Sequence, residues 1–506
     1  MNPATKNNSP SPLQFDLQTQ GLLDIVDRFG HLRVLVIGEA ILDGYLQGQS
    51  ARLCREDPAP VVAIAQTQNV PGGAANTAAN AAVLGAQVHF LSVTGCDRAS
   101  QTLKTVLQQR GVKTASLIAD PTRTTLAKRR VLSGDRLLVR FDEGSTHPIA
   151  GNTLNRFIEQ LKHHFPLSDA IIISDYAYGI ITPQILSVLQ QLQTQHPRVL
   201  VADAKQLETY ASVGLTAVKP NYDETRKLLN LPAKSGQQRL EQIFQHGPKV
   251  LKKAGAQMAA ITLDTDGTLT FLQQNSPIRT YAKPAPNSHA VGAGDTYVAV
   301  LALALAAGAN PSRASTLAAT ATAITTTEPG TTCCEPTALK RKLARAQKRI
   351  ANSTELAATV RQHRTLNQRI VFTNGCFDIL HSGHVTCLEQ ARSLGDILIV
   401  GVNSDESIRQ LKGETRPVNC LADRMTVLAA LGCVSYVVPF GDLSPRELIR
   451  QIRPDIYTKG GDYSRQTLPE TPLIEELGGE VIILPYLNNR STTQLIEKIQ
   501  THPERS

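Results

Sequence analysis

The sequence predicts two α/β domains, each built on a parallel β-sheet that is covered by helices. The chain has 506 residues, which is more than one hydrophobic core usually organises. Short β-branched runs alternate with Ala- and Leu-rich helical patterns over about 32–330 and again over 369–499, as crossover units require. The predicted division is a disordered tail at 1–20, a first domain at 21–335, a helical basic linker at 336–368 and a second domain at 369–506.

The strands are predicted at apolar runs rich in Val and Ile, which are typical of buried strands in parallel sheets. In the first domain these runs lie at 33–38, 87–93, 170–176, 198–204 and 258–263. Two charged, strand-like segments interrupt this pattern at 48–62 and 122–141, and we expect them to form a small accessory sheet. In the second domain the strand runs lie at 369–375, 396–403, 435–440, 455–461 and 480–485.

The composition is that of an ordinary globular protein, with 42% hydrophobic and 19% charged residues. The apolar run from Val298 to Ala309 is too short to span a bilayer, so a buried helix is expected there. The first residues lack the basic start and apolar core of a signal peptide. The eight cysteines form no CxxC pair, which favours reduced thiols. We therefore expect a cytoplasmic protein without a membrane partner.

Part of the net charge of +9 is concentrated in the predicted linker. Between Lys340 and Arg369, nine Lys and Arg residues accompany a single acidic residue, Glu355. Such a stretch is either a solvated helix face or a nucleic-acid-binding patch. The absence of aromatic residues and of an RNA-binding signature favours the solvated helix, so no nucleic-acid partner is expected.

The segment FTNGCFDILHSGH in the second domain carries the clearest chemical signal. A strand runs into a polar turn and then into a helix whose first turn holds His381 and His384. A helix N-terminus offers free backbone N–H groups and a positive dipole end, which suit phosphate oxygens. Two histidines three residues apart reach the same ligand group. Alone, this pair is more often a solvated surface feature, and it lacks the Glu of a zinc-protease HExxH motif.

With the later segments RPVN, KGGDY and NRSTTQLI, this region resembles the cytidylyltransferase-like nucleotidyltransferases over Arg369 to Ile499. The resemblance implies a Rossmann-like fold in which His381 and His384 bind the triphosphate and stabilise charge as pyrophosphate leaves. The implied transfer reaction needs no protein nucleophile, and Mg²⁺ is expected to bind together with ATP. The other implied nucleotide and phosphate residues are Asn374, Phe377, Asp378, Asn403, Asp405, Lys412, Arg424, Lys459, Gly460, Gly461, Asp462, Ser491, Thr492 and Thr493.

In the first domain, a glycine-rich turn opens a helix at GAGD. The backbone N–H groups of Gly292, Ala293 and Gly294 are placed to hold a phosphate, and Asp295 is placed to take a hydroxyl proton. Glycine-rich turns between a strand and a helix often serve only packing. The upstream segment PGGAAN strengthens the functional interpretation.

These segments resemble the PfkB, ribokinase-like carbohydrate kinases over Leu32 to Cys333. The resemblance implies a doubly wound sheet with Asp295 as the base that activates the sugar hydroxyl toward ATP. It implies that Asn221 and Glu224 organise metal and phosphates, and it makes Asp175 and Asp203 further pocket candidates. The implied sugar-binding residues are Asp43, Gly72, Gly73, Asn76 and Lys128.

The first domain departs from this family at four positions. His289 and Val291 stand where an Asp and a Thr are common, Tyr178 replaces a usual Lys, and Asp264 replaces a usual Gly. Two possibilities therefore stay open: an active kinase, or a degenerate domain that serves as a dimerising or sugar-binding module.

A chain that carries these two domains in this order resembles the family of bifunctional ADP-heptose synthases. That likeness implies phosphorylation of D-glycero-D-manno-heptose 7-phosphate at O1, and adenylyl transfer from ATP to heptose 1-phosphate, which yields ADP-heptose and pyrophosphate for lipopolysaccharide core. The expected partners are ATP with Mg²⁺, heptose phosphates and a second copy of the chain in a homodimer.

Overall fold

The computed structural model describes residues 21–273, 276–280, 291–327, 330–460 and 464–485. Residues 22–340 form one compact unit, and the described residues from 341 onward belong to a second. The division falls within one helix, Pro336–Gln347. Within the described residues, no helix has the length and apolar character needed to cross a bilayer.

The first unit contains a nine-stranded sheet in the order β13-β12-β11-β10-β9-β8-β1-β4-β5. Its strands pair in parallel except at one edge, where β12 runs antiparallel to both of its neighbours. The five β-branched runs all form strands of this sheet. The bounds are β1 Arg33–Gly38, β4 Gln87–Thr94, β5 Leu117–Ala119, β8 Ala170–Asp175, β9 Val199–Ala204, β10 Leu215–Val218, β11 Ala256–Thr262, β12 Thr268–Leu272 and β13 Ile278–Thr280.

The two charged segments contribute to a separate four-stranded sheet in the order β3-β2-β6-β7, which confirms the predicted accessory sheet. Strand β2 pairs in parallel with β6, and the other two pairings are antiparallel. The strand bounds are β2 Ala40–Leu53, β3 Pro60–Gly73, β6 Leu126–Ser133 and β7 Arg136–Glu143.

Helices pack on the nine-stranded sheet and bury its aliphatic side chains. The apolar run from Val298 to Ala309, predicted as a buried helix, forms most of helix α8, which ends at Ala306 and whose residues from Asp295 to Ala304 are all buried. The helix bounds in this unit are α1 Ala74–Val83, α2 Arg98–Gln108, α3 Gly151–His164, α4 Pro183–Gln195, α5 Tyr222–Leu228, α6 Gly236–His246, α7 Pro248–Ala254, α8 Ala293–Ala306 and α9 Pro311–Thr325, followed by α10 Pro336–Gln347 at the division.

The second unit is a parallel five-stranded sheet in the order β16-β15-β14-β17-β18. Every strand coincides with a predicted run. The bounds are β14 Ile370–Gly375, β15 Ile397–Asn403, β16 Tyr436–Phe440, β17 Ile456–Gly460 and β18 Glu480–Leu484, with helices α11 Ser353–Thr365, α12 Ser382–Ser393, α13 Asp405–Lys412, α14 Leu421–Ala430, α15 Arg446–Ile452 and α16 Thr471–Glu476.

The second unit has an apolar core on each face of its sheet, because successive strand residues point to opposite faces. Phe372 of β14 belongs to the core that also contains Leu356 of α11. Val371 belongs to the other core, with Leu388 of α12 and Leu428 of α14.

The basic stretch before β14 is folded against this unit. Helix α11 is capped by Asn352, which accepts a hydrogen bond from the backbone N–H of Glu355, and it buries Leu356 and Val360 in the core. Burying such side chains typically stabilises a fold by about 1.5–3 kcal/mol each. Arg361 remains exposed on this helix, so the helix combines an apolar inner side with a charged outer one.

Candidate active sites

A first cavity lies at the carboxyl ends of β8, β9 and β10, which is where ligands bind in open α/β sheets. Its volume is about 170 Å³. It is lined by Asp175, Tyr176, Asp203, Ala204, Lys205, Lys219, Asn221, Glu224, Gly292, Gly294 and Asp295. Most of these residues were predicted for this site, although they come from distant parts of the sequence.

The glycine-rich turn brings backbone close to the cavity. Gly292 caps α8 with φ of +79°, a left-handed conformation that favours glycine. A Cβ atom at Gly292 would lie 2.9 Å from Nδ2 of Asn76, and one at Gly294 would lie 3.0 Å from Nζ of Lys219. The turn therefore leaves the first N–H groups of α8, from Ala293 onward, available to an anion.

Asp295 is buried in a hydrogen-bond network at the start of α8. Its carboxylate accepts bonds from Asn76 Nδ2 at 2.8 Å, Tyr176 Oη at 3.1 Å and Thr77 Oγ1 at 3.3 Å. Burial raises the pKa of Asp295 to about 6, although the Asn76 bond opposes that rise. A carboxylate with a pKa close to neutrality is suited to accept a proton.

Two further carboxylates of the first cavity are paired with lysines. Asp203 lies 3.0 Å from Lys219, and Glu224 lies 2.5 Å from Lys205. Burial raises the pKa of Asp203. Burial alone would lower the pKa of Lys219, but the Asp203 carboxylate beside it raises that pKa. Lys219 therefore stays charged beside Asp203 at the edge of a small polar cavity.

Asn221 and Glu224 form a capping box at the start of α5. Asn221 Oδ1 accepts from the backbone N–H of Glu224 at 2.8 Å, and Glu224 accepts from the backbone N–H of Asn221 at 2.9 Å. This reciprocal pair fixes both side chains at the cavity edge.

The predicted sugar-binding residues gather where the accessory sheet meets α1. A Cβ atom on Gly72 would lie 2.5 Å from the Asp43 carboxylate, and Gly73 has φ of +56°. Lys128 is the register partner of Asp43 across β2 and β6. Asp43 forms a 3.0 Å ion pair with Arg130, a residue that sequence reasoning missed.

Glu39 is a second residue that sequence reasoning missed. This buried side chain accepts hydrogen bonds from the backbone N–H groups of Tyr176 at 2.7 Å and Tyr178 at 3.0 Å. Burial, together with the nearby Asp175 charge, raises its pKa to about 7. An acidic residue directly after the buried run 33–38 was the available signal, because a carboxylate that follows a buried strand needs hydrogen-bond donors from the protein.

Three of the four family departures lie within the described residues, and one of them is Tyr178, whose backbone N–H donates to Glu39. Asp264 adopts φ of +50° and pairs at 2.9 Å with Arg239, which also contacts Asp266 at 2.7 Å. Val291 is exposed beside the glycine-rich turn. His289 lies outside the described residues.

A second cavity of about 120 Å³ lies at the carboxyl ends of β14, β17 and β18. It is lined by Thr373, Asn374, Gly375, Cys376, Phe377, His384, Cys387, Leu388, Lys459, Gly460 and Leu484. Asn374 is central, since its Oδ1 accepts from Tyr457 Oη at 2.7 Å and from Lys459 Nζ at 3.0 Å. Burial lowers the pKa of Lys459.

The two predicted histidines meet at the start of α12. His381 is the N-cap of this helix, and its ring centroid lies 3.9 Å from that of His384. The Phe377 ring lies 5.5 Å from His384. Burial, with the charges of His381 and Lys412, lowers the pKa of His384 to about 4. Its Nδ1 is buried and has no hydrogen-bond partner among the described residues. Because of its low pKa, His384 lines the second cavity as a neutral imidazole at neutral pH.

Other predicted residues of the second cavity are engaged within the protein. Asp378 accepts from Arg416 at 2.6 Å and from the backbone N–H groups of Val418 and Asn419 at 2.8 and 3.0 Å. Asn403 donates to Ser407 Oγ at 3.3 Å. These bonds fix the loops around the cavity.

Arg424 is also engaged within the protein, and its side chain is almost completely buried. Its guanidinium donates to the carbonyl groups of Asn419 and Cys376 at 3.0 and 2.6 Å and to Asp405 at 2.7 Å. Gly461, Asp462, Ser491, Thr492 and Thr493 lie outside the described residues.

Comparison with known proteins assigns a family to each domain. Residues 31–338 match the pfkB family carbohydrate kinases, and residues 372–498 match the family described as cytidylyltransferase-like. The fold of the first unit is similar to Arabidopsis thaliana ribokinase complexed with ribose and ATP, with a TM-score of 0.50, 19% identity, and coverage of 62% of this chain and 98% of that one. It is also similar to phosphofructokinase-2 from Escherichia coli, with a TM-score of 0.51, 18% identity and the same coverage.

Full-length relatives contain both domains together. A protein named Bifunctional protein HldE from Desulfatibacillum aliphaticivorans is 34% identical over 94% of this chain and 97% of its own length. Those of Geobacter sulfurreducens and Koribacter versatilis are 35% and 36% identical over 93% and 92% of the chain, and over 96% of their own lengths.

The matched domains define a bifunctional transferase, a carbohydrate kinase followed by a nucleotidyltransferase. Its two cavities lie in separate units of the fold. The chain belongs to the bifunctional HldE family.

Proposed function

We propose that this protein phosphorylates D-glycero-D-manno-heptose 7-phosphate at O1 and, in its second domain, transfers AMP from ATP to heptose 1-phosphate. The observation that carries the proposal is the match to bifunctional HldE proteins over more than nine-tenths of the chain, spanning both domains. The two cavities supply a fitting set of groups for each reaction.

In the first cavity, Asp295 takes the proton from the O1 hydroxyl as that oxygen attacks the γ-phosphorus of ATP. The new O1–phosphorus bond forms as the bond from the γ-phosphorus to the bridging oxygen breaks, and ADP leaves with that electron pair. Asn76 and Tyr176 orient the base, as their 2.8 and 3.1 Å bonds to it indicate. The free N–H groups of Gly292, Ala293 and Gly294 stabilise charge on the transferred group.

The sugar and phosphate groups are assigned to the residues around that base. Asp43, Gly72, Gly73, Asn76 and Lys128 hold the sugar phosphate, and Lys205 and Lys219 neutralise phosphate charge.

Asn221 and Glu224 offer oxygen donors of the kind that Mg²⁺ prefers. No group of three His, Cys, Asp or Glu side chains within the described ranges is arranged to hold a metal alone, so Mg²⁺ would be held chiefly by ATP, whose phosphate charge it reduces.

In the second cavity, a phosphate oxygen of heptose 1-phosphate attacks the α-phosphorus of ATP in line. One phosphorus–oxygen bond forms, the bond to the β-phosphate bridging oxygen breaks, and pyrophosphate leaves. His381, His384, Lys412 and Lys459 supply donors and positive charge for that leaving group. Asn374 and Phe377 line the nucleotide space. The contacts of Asp378, Asn403, Asp405 and Arg424 favour roles in holding the surrounding loops.

The possibility of a degenerate kinase domain rests on Tyr178, His289 and Val291. The intact network around Asp295 favours an active kinase instead.

The substrate assignment is tested by comparing heptose 7-phosphate with unphosphorylated heptose in the kinase assay, and ATP with CTP in the transfer assay. We expect kcat/KM to favour heptose 7-phosphate and ATP; equal use of the free sugar, or preference for CTP, would contradict the assignment.

The kinase reaction is expected to weaken in acid. Because the pKa of Asp295 is raised to about 6, the base is protonated below that pH, and kcat/KM should fall about tenfold per pH unit there. Adenylyl transfer is the internal control, since His384, with a pKa of about 4, stays neutral from about pH 5 upward. A kinase profile that is flat from pH 8 to pH 5, measured at saturating Mg²⁺, would contradict the role of Asp295.

We also propose a homodimer that forms through the outer face of the accessory sheet. Leu137, Val139 and Phe141 alternate along β7 on one face and are 52%, 51% and 41% exposed. An apolar face of this kind is typical of an interaction surface. A symmetric partner copy offers the same apolar face.

The dimer is tested by light scattering of Val139→Lys and Phe141→Lys. We expect the wild type to be a dimer and both variants to be monomers, since a charge in an apolar interface is costly. Phe244→Lys, at a 57% exposed position on α6, is the matched control and should stay dimeric. A monomeric wild type, or dimeric β7 variants, would contradict this surface.

The cellular location is proposed to be the cytoplasm. All eight cysteines lie within the described residues and none forms a disulfide, which fits a reducing compartment that supplies ATP.

A further inference from the structure

Two tyrosines follow strand β8 at the first cavity. The rings of Tyr176 and Tyr178 are stacked, with centroids 6.4 Å apart and an angle of 29° between their planes. Nζ of Lys128 lies 5.2 Å from the Tyr176 centroid and 5.4 Å from the Tyr178 centroid. Both distances are within the range of cation–π attraction, so one ammonium group is held by two rings.

The segment that carries these rings is fixed from two sides. Glu39 accepts the backbone N–H groups of both tyrosines, and Arg123 donates to the carbonyl group of Tyr178 at 3.3 Å. Ala177 between them has φ of +60°, a conformation that non-glycine residues adopt only when the surrounding contacts hold it. The rings are therefore presented on a rigid support.

Lys128 lies beside two ion pairs on the inner face of the accessory sheet, the face that also carries Asp43 and Asp142. Asp43 is paired with Arg130 at 3.0 Å, and Asp142 is paired with Arg140 at 2.9 Å. Lys128 is in register with both carboxylates, yet among the described residues no carboxylate lies within ion-pair distance of its Nζ. Its positive charge is thus oriented by the rings without being neutralised.

The position of this ammonium relates it to the reacting groups. Tyr176 contacts Lys128 with its ring and donates its hydroxyl to Asp295 at 3.1 Å. The same side chain therefore connects the base to the oriented cation. A sugar that bound with its O1 at Asp295 and its other end at the accessory sheet would bring that end to Lys128.

We propose that Tyr178 is a positioning residue for substrate selection: with Tyr176 it holds the Lys128 ammonium where it binds the phosphate group of the sugar that is not transferred. Position 178 commonly carries lysine in the kinases that this domain resembles. Here a ring at that position orients a lysine that comes from a different strand. This inference rests on the proposed kinase function.

A double-mutant cycle tests the inference on the full-length protein, using Tyr178→Leu, Lys128→Met and the combined variant. We expect Tyr178→Leu to raise KM for heptose 7-phosphate about tenfold, a large effect for a partly desolvated cation–π contact. Its kcat and its KM for ATP should change less than about twofold. Tyr178→Phe, which keeps the ring, should restore KM to within about threefold of wild type. In the Lys128→Met background, Tyr178→Leu should have almost no further effect.

Two results would overturn the inference: equal KM defects in Tyr178→Phe and Tyr178→Leu, or defects of Tyr178→Leu and Lys128→Met that simply multiply in the combined variant. Thermal unfolding of each variant, followed by circular dichroism, reports whether its first domain is folded. If the wild type does not phosphorylate heptose 7-phosphate, the proposed function fails instead. Calorimetric binding of heptose 7-phosphate to the same variants then tests the coupling between Tyr178 and Lys128 separately, and additive losses of affinity would overturn it.

Discussion

Replacing Asp295 by Asn is expected to lower kcat for sugar phosphorylation by about 10³-fold, within the range that a general base contributes. The amide keeps the shape of the side chain but cannot accept the O1 proton. Adenylyl transfer should remain within about twofold of wild type, because all of the described residues that line the second cavity belong to the second unit. Production of ADP from heptose 7-phosphate and ATP measures the first reaction, and release of pyrophosphate measures the second.

Asp120→Asn is the matched control for this substitution. Asp120 is also a buried carboxylate of the first unit, bonded to Thr122 at 2.6 Å and Thr153 at 2.8 Å, and it does not line the cavity. We expect Asp120→Asn to lower thermal stability while kcat stays within a few-fold of wild type. If Asp295→Asn kept a tenth or more of the wild-type kcat, Asp295 would not be the base.

Replacing His384 by Ala is expected to lower kcat for adenylyl transfer by about 10³-fold, as removal of a preorganised donor to developing charge does elsewhere. His384 lies in the first turn of α12 and contacts His381, where we propose that pyrophosphate leaves. Phosphorylation of heptose 7-phosphate should be unaffected.

His363→Ala controls for the loss of a buried histidine in the same unit. His363 is bonded to Gln368 at 2.6 Å and to Tyr436 at 2.9 Å, away from the second cavity. We expect this variant to be less stable but to retain adenylyl transfer in its folded fraction. Loss of both reactions from either Asp295→Asn or His384→Ala would refute independent sites.

Much of the fold follows from local sequence patterns. Runs such as 170–176 and 396–403 are rich in Ile and Val, as strands that are covered on both faces usually are. The accessory sheet was predictable because its segments alternate charged and apolar residues, as Arg140 and Phe141 on β7 illustrate. The antiparallel strand β12, which is second from the edge of the large sheet, carries no comparable signal, since strand direction is decided by tertiary pairing.

The candidate sites were predictable where one turn carries the chemistry. Asp295 and His384 each sit in the first turn of a helix, so a short motif defines both the residue and its surroundings. Arg130 and Glu39 were missed because their partners are remote in sequence: Arg130 contacts a residue 87 positions away, and Glu39 binds Tyr176, 137 positions away. Such contacts leave no periodicity.

The family resemblance assigned nucleotide-binding roles to residues by their position in a motif, which does not specify the direction of their side chains. Arg424 and Asp378 lie beside the second cavity, yet the structure directs their donors and acceptors to Cys376, Asn419 and Arg416. A motif specifies the position of a residue along the chain. Only the folded structure shows which of its atoms are already satisfied by the protein.

The most direct test of a bifunctional heptose phosphate enzyme is ³¹P NMR of the purified full-length protein with Mg²⁺ and ATP, with heptose 7-phosphate in one sample and heptose 1-phosphate in another. We predict a heptose 1,7-bisphosphate signal with ADP in the first sample, and ADP-heptose with pyrophosphate in the second. Absence of the bisphosphate while ADP-heptose still forms would contradict the two-reaction account and leave the first domain as a degenerate kinase.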